Sequence, residues 1–294
     1  MIDPVIFKKI RRIEIQSKRP VNQLLAGEYR SVFKGLGLEF HEVREYQPDD
    51  DIRAIDWNVT ARLGHPYVKK YVEERQRTII LTVDVSASQD FGSLRKSKNE
   101  VAAELAAILA FAAIQNNDLA GLLMFSDRVE KFIPPKKGRR HVLRLVREIL
   151  AFKREGSGTD IAGAVKYLAR VQRKSAIVFL ISDFLAGGYE RELTLLARRH
   201  DLIPVWIRDR YERSLPPFPG LIVAEDPESG AITPVDLSDP AVGVQYRQAV
   251  DAVTAEQKKY FNRIRADLIE FSTDGDYLGP LNAFFRKREK RLKH

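Results

Sequence analysis

From residue 78 onward, short apolar runs alternate with amphipathic stretches of helical spacing, and this alternation most constrains the fold. Apolar runs with hardly a polar break are typical of parallel strands that are buried on both faces. Strands are predicted at 78–84, 119–125, 175–182 and 202–207, and helices at 95–116, 139–152, 161–171 and 189–200. The pattern therefore predicts an α/β domain with a mainly parallel sheet in a three-layer, Rossmann-like arrangement.

The chain on either side of this domain has a different character. Residues 220–224 and 231–235 flank the sequence DPESG, which is typical of a hairpin turn. A long helix is expected next, with Val250, Tyr260 and Phe271 among its apolar positions. We therefore expect an N-terminal extension packed on the main domain (1–77), the main domain (78–240), and a C-terminal helical segment with a basic tail (241–294).

The N-terminal extension carries two weaker signals of its own. Ile6, Ile10 and Ile13 have the spacing of a short amphipathic helix. Residues 67–77 are expected to form an extended arm that runs into the first strand of the main domain.

Composition excludes several classes of function. Because the chain has no cysteine, it has no disulfides, thiol catalysis or cysteine-bound metal, and a reducing cytosol agrees with this. No segment is apolar enough over 18 residues to predict a membrane span, so we expect a cytoplasmic protein. The net charge of +9 is compatible with nucleic acid, anionic membrane or an acidic protein as partner, although acidic residues are also numerous.

The strongest chemical signal is Asp84-x-Ser86-x-Ser88, directly after the first predicted strand. Thr159 precedes a predicted helix, and Asp183 follows another predicted strand. Ligands of open α/β sheets collect outside the carboxyl ends of the strands, so these five residues are expected to converge there. Carboxylate and hydroxyl oxygens suit a hard cation. The sequence therefore predicts a Mg²⁺ site, and Mn²⁺ and Ca²⁺ are the alternative cations for the same ligands.

A structural interpretation of the same residues stays open. Asp84, Ser86 and Ser88 also suit a helix cap or a turn, Thr159 suits a helix cap, and Asp183 suits a turn. Their joint placement, rather than any one of them, favours the metal site.

Two sets of residues together resemble a known family. Asp84, Ser86, Ser88, Thr159 and Asp183 look like the metal-ion-dependent adhesion site (MIDAS) of von Willebrand factor type A domains. Motifs upstream of the first predicted strand narrow the resemblance to family 58 of the domains of unknown function. These motifs are Gly35-x-Gly37-x-Glu39-Phe40, Arg44-Glu45-Tyr46, Asp49-Asp50-x-x-Arg53-x-Ile55-Asp56-Trp57 and Ala61-Arg62. The resemblance covers about residues 20–240. Gln89 departs from it, since many relatives carry Met there, but it is not a ligand position.

The resemblance implies a bacterial, non-enzymatic binding module. Its five MIDAS residues would hold Mg²⁺, which would engage an acidic residue on a client protein. A MoxR-type AAA+ ATPase would act with it in chaperone-like assembly or maturation of the client. Many relatives have transmembrane helices, and this chain shows none, which leaves peripheral membrane contact unsupported.

Two other function classes remain as alternatives. A basic, nucleic-acid-associated protein is the first, although no aromatic–basic motif supports it. A metal-assisted phosphohydrolase ranks last, because no general base is evident near the hydroxyls. Phosphate-binding loops with the Gly-x-x-x-x-Gly-Lys pattern and Gly-x-Ser-x-Gly elbows are absent from the sequence.

Two charged segments each have a structural and a functional interpretation. The residues 45–62 are expected to form a salt-bridge network above Trp57, or else a docking surface for the ATPase. Phe284 and Phe285 with the basic tail are expected to form a solvated helix end, or else to touch anionic lipid.

Overall fold

The protein is organised around a six-stranded sheet. The computed structural model describes residues 8–15, 17, 21, 38–48, 50–73, 76–93, 96–153, 156, 158–216 and 218–292. The strands are β1 (Leu38–Glu45), β2 (Tyr67–Glu73), β3 (Thr78–Asp84), β4 (Leu119–Phe125), β5 (Val129–Lys136), β6 (Ile177–Ser182), β7 (Asp201–Arg208), β8 (Leu221–Glu225), β9 (Ile232–Asp236) and β10 (Ile269–Ser272). The helices are α1 (Trp57–Leu63), α2 (Lys98–Gln115), α3 (Arg139–Leu150), α4 (Ile161–Val171), α5 (Glu190–Arg199), α6 (Pro240–Arg263) and α7 (Leu278–Leu292).

The central sheet has the strand order β10-β7-β6-β3-β4-β5. All neighbouring pairs are parallel except β4 and β5, which pair antiparallel at one edge. Strand β3 has β4 on one side and β6 on the other, so the order of the strands reverses there. Such a switch point opens a crevice at the carboxyl ends of the strands.

The two faces of the sheet bury two separate cores. Alternate residues of β3 point to opposite faces, so Ile79 and Leu81 join one core and Ile80 joins the other. The first core includes buried residues of α2, α3 and α7, and the second includes buried residues of α4, α5 and α6. The predicted α/β class, with a mainly parallel sheet between two layers of helices, is therefore confirmed.

Helix α2 is buried on all sides because it is rich in alanine. Seven alanines between Ala102 and Ala113 are each at most 1% exposed. Small side chains let a helix approach its neighbours closely, and a helix without a polar face belongs to the interior. Ser97 caps its first turn by accepting a hydrogen bond from the backbone N–H of Glu100 at 3.2 Å.

The four predicted strands of the main domain are present with bounds that differ by at most two residues, and the predicted hairpin is formed by β8 and β9. Two strands of the sheet, β5 and β10, were not predicted. The expected long helix is wrong beyond Arg263, because Phe271 lies on β10 and pairs with Ile207 of β7. Apolar residues of α6 and β10 happen to share a helical spacing across the loop between them.

The N-terminal extension contains a two-stranded antiparallel sheet of β1 and β2, so the expected arm at 67–77 is a paired strand over Tyr67–Glu73, and residues 74 and 75 lie outside the described residues. Residues 8–15 are helical, and Ile13 packs into the first core. Ile6 lies outside the described residues, as do Gly35, Gly37 and Asp49 of the family motifs.

The expected packing of Trp57 beneath a salt-bridge network is wrong. Trp57 is the first residue of α1, and it is 67% exposed. Asp51 and Asp56 instead act as caps of the two short helical turns that follow them. Arg44 binds both carboxylate oxygens of Asp50 at 2.6 and 2.8 Å.

The C-terminal segment is part of the main core. Phe284 and Phe285 are 6% and 0% exposed and belong to the first core, so both the solvated-end and the lipid interpretation are wrong for these two residues. Arg288 binds Asp201 at 2.6 Å and Asp267 at 2.9 Å, which fixes α7 against the ends of two other elements. Among the described residues, no helix combines the length and apolar character needed to cross a bilayer.

Candidate metal centre

Strands β3 and β6 bring two predicted site residues to the switch point of the sheet. Asp84 ends β3, and Asp183 directly follows Ser182, the last residue of β6. The Ser182 hydroxyl donates to Oδ2 of Asp84 at 2.6 Å, which joins the two strand ends. Asp84 and Asp183 are 1% and 2% exposed, so both carboxylates are held in the interior of this edge.

A tight turn after β3 places the two serines beside Asp84. The backbone N–H of Ser86 donates to Oδ1 of Asp84 at 2.9 Å, and Ser86 precedes a single 3-10 turn over Ala87–Asp90. The Ser86 and Ser88 hydroxyl oxygens lie 3.2 Å apart and are both buried. The turn thus gathers a carboxylate and two neutral hydroxyls within a few ångströms.

Asp183 has a partner that the sequence did not predict. Lys98, the first residue of α2, is 0% exposed, and its ammonium donates to Oδ2 of Asp183 at 2.7 Å and also to Glu212. Glu212 in turn accepts a hydrogen bond from the backbone N–H of Asp209 at 2.8 Å. One buried cation therefore serves two carboxylates.

The electrostatics of this edge leave an excess of negative charge. Asp183 and Glu212 share the ammonium of Lys98, and Asp84 is close enough to Asp183 to feel its charge. Burial, followed by the charge of Asp183, raises the pKa of Asp84 to about 7. Burial also raises the pKa of Glu212, although Lys98 opposes this shift. Burial alone would lower the pKa of Lys98, but Asp183 and Glu212 raise it above its usual value.

Thr159 reaches the same edge of the sheet from another direction. The backbone N–H of Asp160 donates to the carbonyl of Ser126 at 2.7 Å, and Ser126 follows β4, the neighbour of β3. The Thr159 hydroxyl donates to Oε1 of Glu228 at 2.6 Å, in the turn between β8 and β9. Hydrogen bonds thus connect Asp84, Ser86 and Ser88 with one another. Asp84 is also bonded to Ser182, the residue before Asp183. The hydroxyl of Thr159 is instead bonded to Glu228 of the β8–β9 hairpin.

The donor set fits a hard divalent cation. All five predicted residues offer oxygen, two of them as carboxylates, and the surplus of negative charge favours a cation. Within the described part of the chain, Oε1 of the buried Gln89 has no hydrogen-bond partner, while its Nε2 donates to Ser88 at 3.3 Å. The same residues contain no group of three or more histidine or acidic side chains able to hold a metal, so hydroxyls would have to share in binding.

Sequence reasoning missed Ser182, Lys98, Glu212 and Glu228. Ser182 stands next to a predicted ligand, and a polar residue closing an apolar strand was a usable signal. The sequence around Lys98 contains no signal of burial, because a lysine at the start of a helix is usually solvated. Glu228 lies in the predicted hairpin turn, where the sequence gives no sign that it contacts another element.

Comparison with known proteins identifies the class. A family model described as "Protein of unknown function DUF58" matches residues 42–257, and the chain belongs to this family. The resemblance stated from the sequence is therefore confirmed. Uncharacterized proteins from Mycobacterium tuberculosis and Mycobacterium bovis are 31% identical over 291 residues, which cover 98% of this chain and 91% of theirs.

Solved structures with a similar course of the chain include von Willebrand type A domains. The hypothetical protein BatB from Bacteroides thetaiotaomicron is 14% identical, with a TM-score of 0.46 over 73% of this chain and 99% of its own. The SpRpn10 VWA domain is 9% identical, with a TM-score of 0.39 over 71% of this chain and 95% of its own. These similarities concern the fold and carry no argument about function.

Proposed function

We propose that this protein is a Mg²⁺-dependent, non-enzymatic protein-binding module that acts with a MoxR-type AAA+ ATPase in chaperone-like assembly or maturation of client proteins. The observation that carries the proposal is the meeting of Asp84, Ser86, Ser88 and Asp183 at the switch point of the sheet. Membership in the family supports a role in protein interaction.

The chemistry of the centre supports binding rather than turnover. Ser86, Ser88 and Thr159 would hold Mg²⁺ through neutral hydroxyls, with Asp84 and Asp183 supplying negative charge. Lys98 already balances part of the charge of Asp183, so the bound cation would keep positive character toward a further ligand. When bound, Mg²⁺ would supply an electrostatic anchor for a carboxylate of the client.

The charges around the centre do not offer a general base for hydrolysis. Asp183 is engaged by Lys98, and both oxygens of Asp84 accept hydrogen bonds from Ser86 and Ser182. A base must reach the proton that it removes, and these carboxylates are directed into the protein. This arrangement supports a non-catalytic role.

Calorimetric titration with Mg²⁺ tests the centre itself. We expect the wild-type protein to bind one Mg²⁺ and the Asp84→Asn variant to lose this binding, because the substitution removes a ligand charge. Asp251→Asn, an exposed position on α6, is the matched control and should bind as the wild type does. Equal binding by Asp84→Asn and the wild type would remove the site assignment.

A second experiment tests the partner. A purified MoxR-type AAA+ ATPase from the same organism should be retained by the immobilised protein in Mg²⁺, and EDTA should release it. Retention that persists in EDTA and in Asp84→Asn would mean that the ATPase binds a different surface. No retention under either condition would contradict the proposed partnership.

The nucleic-acid alternative finds less support in the charges of the C-terminal segment. Arg288 and Arg291, two of its basic residues, are engaged by Asp201 and Asp267. Nucleic-acid binding would appear as an affinity for DNA or RNA that falls steeply with salt. Weak binding without such a slope would agree with the protein-binding module.

A further inference from the structure

We propose that the β8–β9 hairpin carries a built-in acidic ligand for the candidate metal centre. Glu228 would occupy the position that a client's carboxylate takes, so that the hairpin and the client compete for one site. This inference rests on the proposed function, because it assigns the residue that holds the open position of the same centre.

The contact between the hairpin and the centre is made by a carboxylate. Oε1 of Glu228 accepts a hydrogen bond of 2.6 Å from the hydroxyl of Thr159, across 69 residues of chain. Glu228 is half-buried, unlike its neighbours Pro227 and Ser229, which are exposed. The acidic side chain is thus the part of this turn that points toward the protein.

The turn is built to present Glu228 in this orientation. The carboxylate of Asp226 accepts a hydrogen bond from the backbone N–H of Glu228 at 3.0 Å and from the Ser229 hydroxyl at 2.5 Å. Gly230 closes the turn with a φ of +71°, a conformation that favours glycine. These bonds fix the backbone of the turn in the position from which the Glu228 side chain reaches Thr159.

The outer face of the hairpin is exposed to solvent. Leu221, Val223 and Ile232 are between 68% and 69% exposed, which is unusual for strands rich in apolar residues. A cavity of about 720 Å³ lies between the hairpin and the body, and both Ser88 and Glu228 line it. A two-stranded hairpin has little stability alone, so a tip contact can decide whether it rests on the body or swings away.

The cavity links the hairpin to Ser88, one of the hydroxyl residues of the centre. Ser88 supplies one of the two paired hydroxyls, and Glu228 holds the remaining hydroxyl ligand, Thr159. A client's carboxylate bound beside Thr159 would meet the same oxygen that Glu228 now engages. The hairpin therefore has to leave before a client carboxylate can bind.

Hydrogen–deuterium exchange of the full-length protein, with Mg²⁺ alone as the probe, tests this inference. We expect Mg²⁺ to slow exchange of the backbone amides at 221–236, because Glu228 would bind the metal only when the hairpin is closed. Mg²⁺ would also bind when the hairpin is open, so exchange at 221–236 should slow by the ratio of its affinities for the closed and the open state. Calorimetry on the same samples reports whether Mg²⁺ is bound.

Two variants separate the roles of charge and fold. Glu228→Gln keeps an acceptor for the Thr159 hydroxyl but removes the charge, so Mg²⁺ should still bind while exchange at 221–236 becomes independent of Mg²⁺. Glu225→Gln removes an exposed acidic residue of the same hairpin and should behave as the wild type does. Circular dichroism of both variants checks that the hairpin substitutions leave the fold intact.

The possible outcomes distinguish this inference from the proposed function. If Mg²⁺ does not bind the wild-type protein, the proposed function fails and the inference falls with it. If Mg²⁺ binds but exchange at 221–236 is unchanged, or changes equally in the wild type and Glu228→Gln, only the inference is overturned. Protection that is lost in Glu228→Gln and kept in Glu225→Gln supports it.

Discussion

The ammonium of Lys98 lies 2.7 Å from Oδ2 of Asp183, although 85 residues separate the two in the chain. Both side chains are almost fully buried, at 0% and 3% exposure. This pair ties the start of α2 to the end of β6, and it also sets the charge of the candidate metal centre. A buried ion pair of this kind contributes little net stability, but removing one partner leaves a buried charge uncompensated.

Lys98→Met is therefore expected to destabilise the protein strongly. Asp183 and Glu212 would both lose their shared cation, and breaking a buried pair costs about 3–5 kcal/mol. Urea unfolding, followed by circular dichroism, measures the free energy of unfolding. Lys131→Met is the matched control: its ammonium pairs with Glu148, its side chain is 43% exposed, and the expected loss is below about 1 kcal/mol. A similar loss in both variants would contradict a special role for Lys98.

Ser182→Ala is expected to weaken Mg²⁺ binding more than it weakens the fold. The hydroxyl of Ser182 orients Asp84 through a bond of 2.6 Å, and loss of such a supporting bond typically reduces metal affinity about 10–100-fold. Calorimetric titration measures the change in the dissociation constant. Ser238→Ala, at an exposed position, provides the control and should bind Mg²⁺ normally. An unchanged affinity in Ser182→Ala would show that Mg²⁺ binding does not depend on the hydrogen bond from Ser182 to Asp84.

The parallel part of the sheet could be predicted because its strands carry their own signal. Strand β4 is apolar throughout and β3 is mostly apolar, since both faces are covered, and their bounds follow directly from the sequence. Strand β5 lies at the sheet edge and contains Pro134 and Pro135 among charged residues, so its sequence resembles a loop. Strand β10 has only four residues, too few for a period to be evident.

Residues of the candidate site could be predicted where they share a motif or lie at the end of a predicted element. Asp84, Ser86 and Ser88 lie within five positions, and their contact follows from one turn. Lys98 and Glu228 reach the site through tertiary structure alone, because α2 and the hairpin are placed by packing and not by local sequence. Trp57 shows the reverse error, since a large aromatic residue among charges was assumed to be covered.

Arg288→Met is expected to loosen the C-terminal helix. The guanidinium binds both oxygens of Asp201, at 2.6 and 2.7 Å, and one of Asp267, at 2.9 Å, and the side chain is 13% exposed. Hydrogen bonds between charged groups contribute about 1.5–3 kcal/mol, so a loss of that size is expected. Thermal unfolding followed by hydrogen exchange of α7 measures both the loss and its location.

Arg291 offers the matched control for that substitution. It also binds Asp267, at 2.7 Å, but its side chain is 58% exposed. Arg291→Met should therefore cost less than about 1 kcal/mol. Equally small effects of both substitutions would mean that apolar contacts, such as those of Leu281, Phe284 and Phe285, hold α7 in place.

His200 is expected to make the protein less stable in mild acid. The residue is 4% exposed, and within the described residues neither ring nitrogen has a hydrogen-bond partner. Burial, helped by the charge of Arg199, lowers the pKa of His200 below its usual value. The unfolded chain therefore binds the proton more readily than the folded protein does. The contribution of His200 to the free energy of unfolding is complete above the pKa of histidine in the unfolded chain, about 6.5. This contribution falls as the pH drops below that value.

The test compares the free energy of unfolding at pH 7.5 and pH 5.5. His200→Leu removes the titrating group and keeps an apolar side chain in its place, so this variant should lose less stability between the two pH values than the wild type. His65→Leu removes an exposed histidine and should keep the dependence of the wild type. The carboxylates contribute equally to all three proteins, so the difference between them isolates His200. An identical loss in the wild type and His200→Leu would place the acid sensitivity elsewhere.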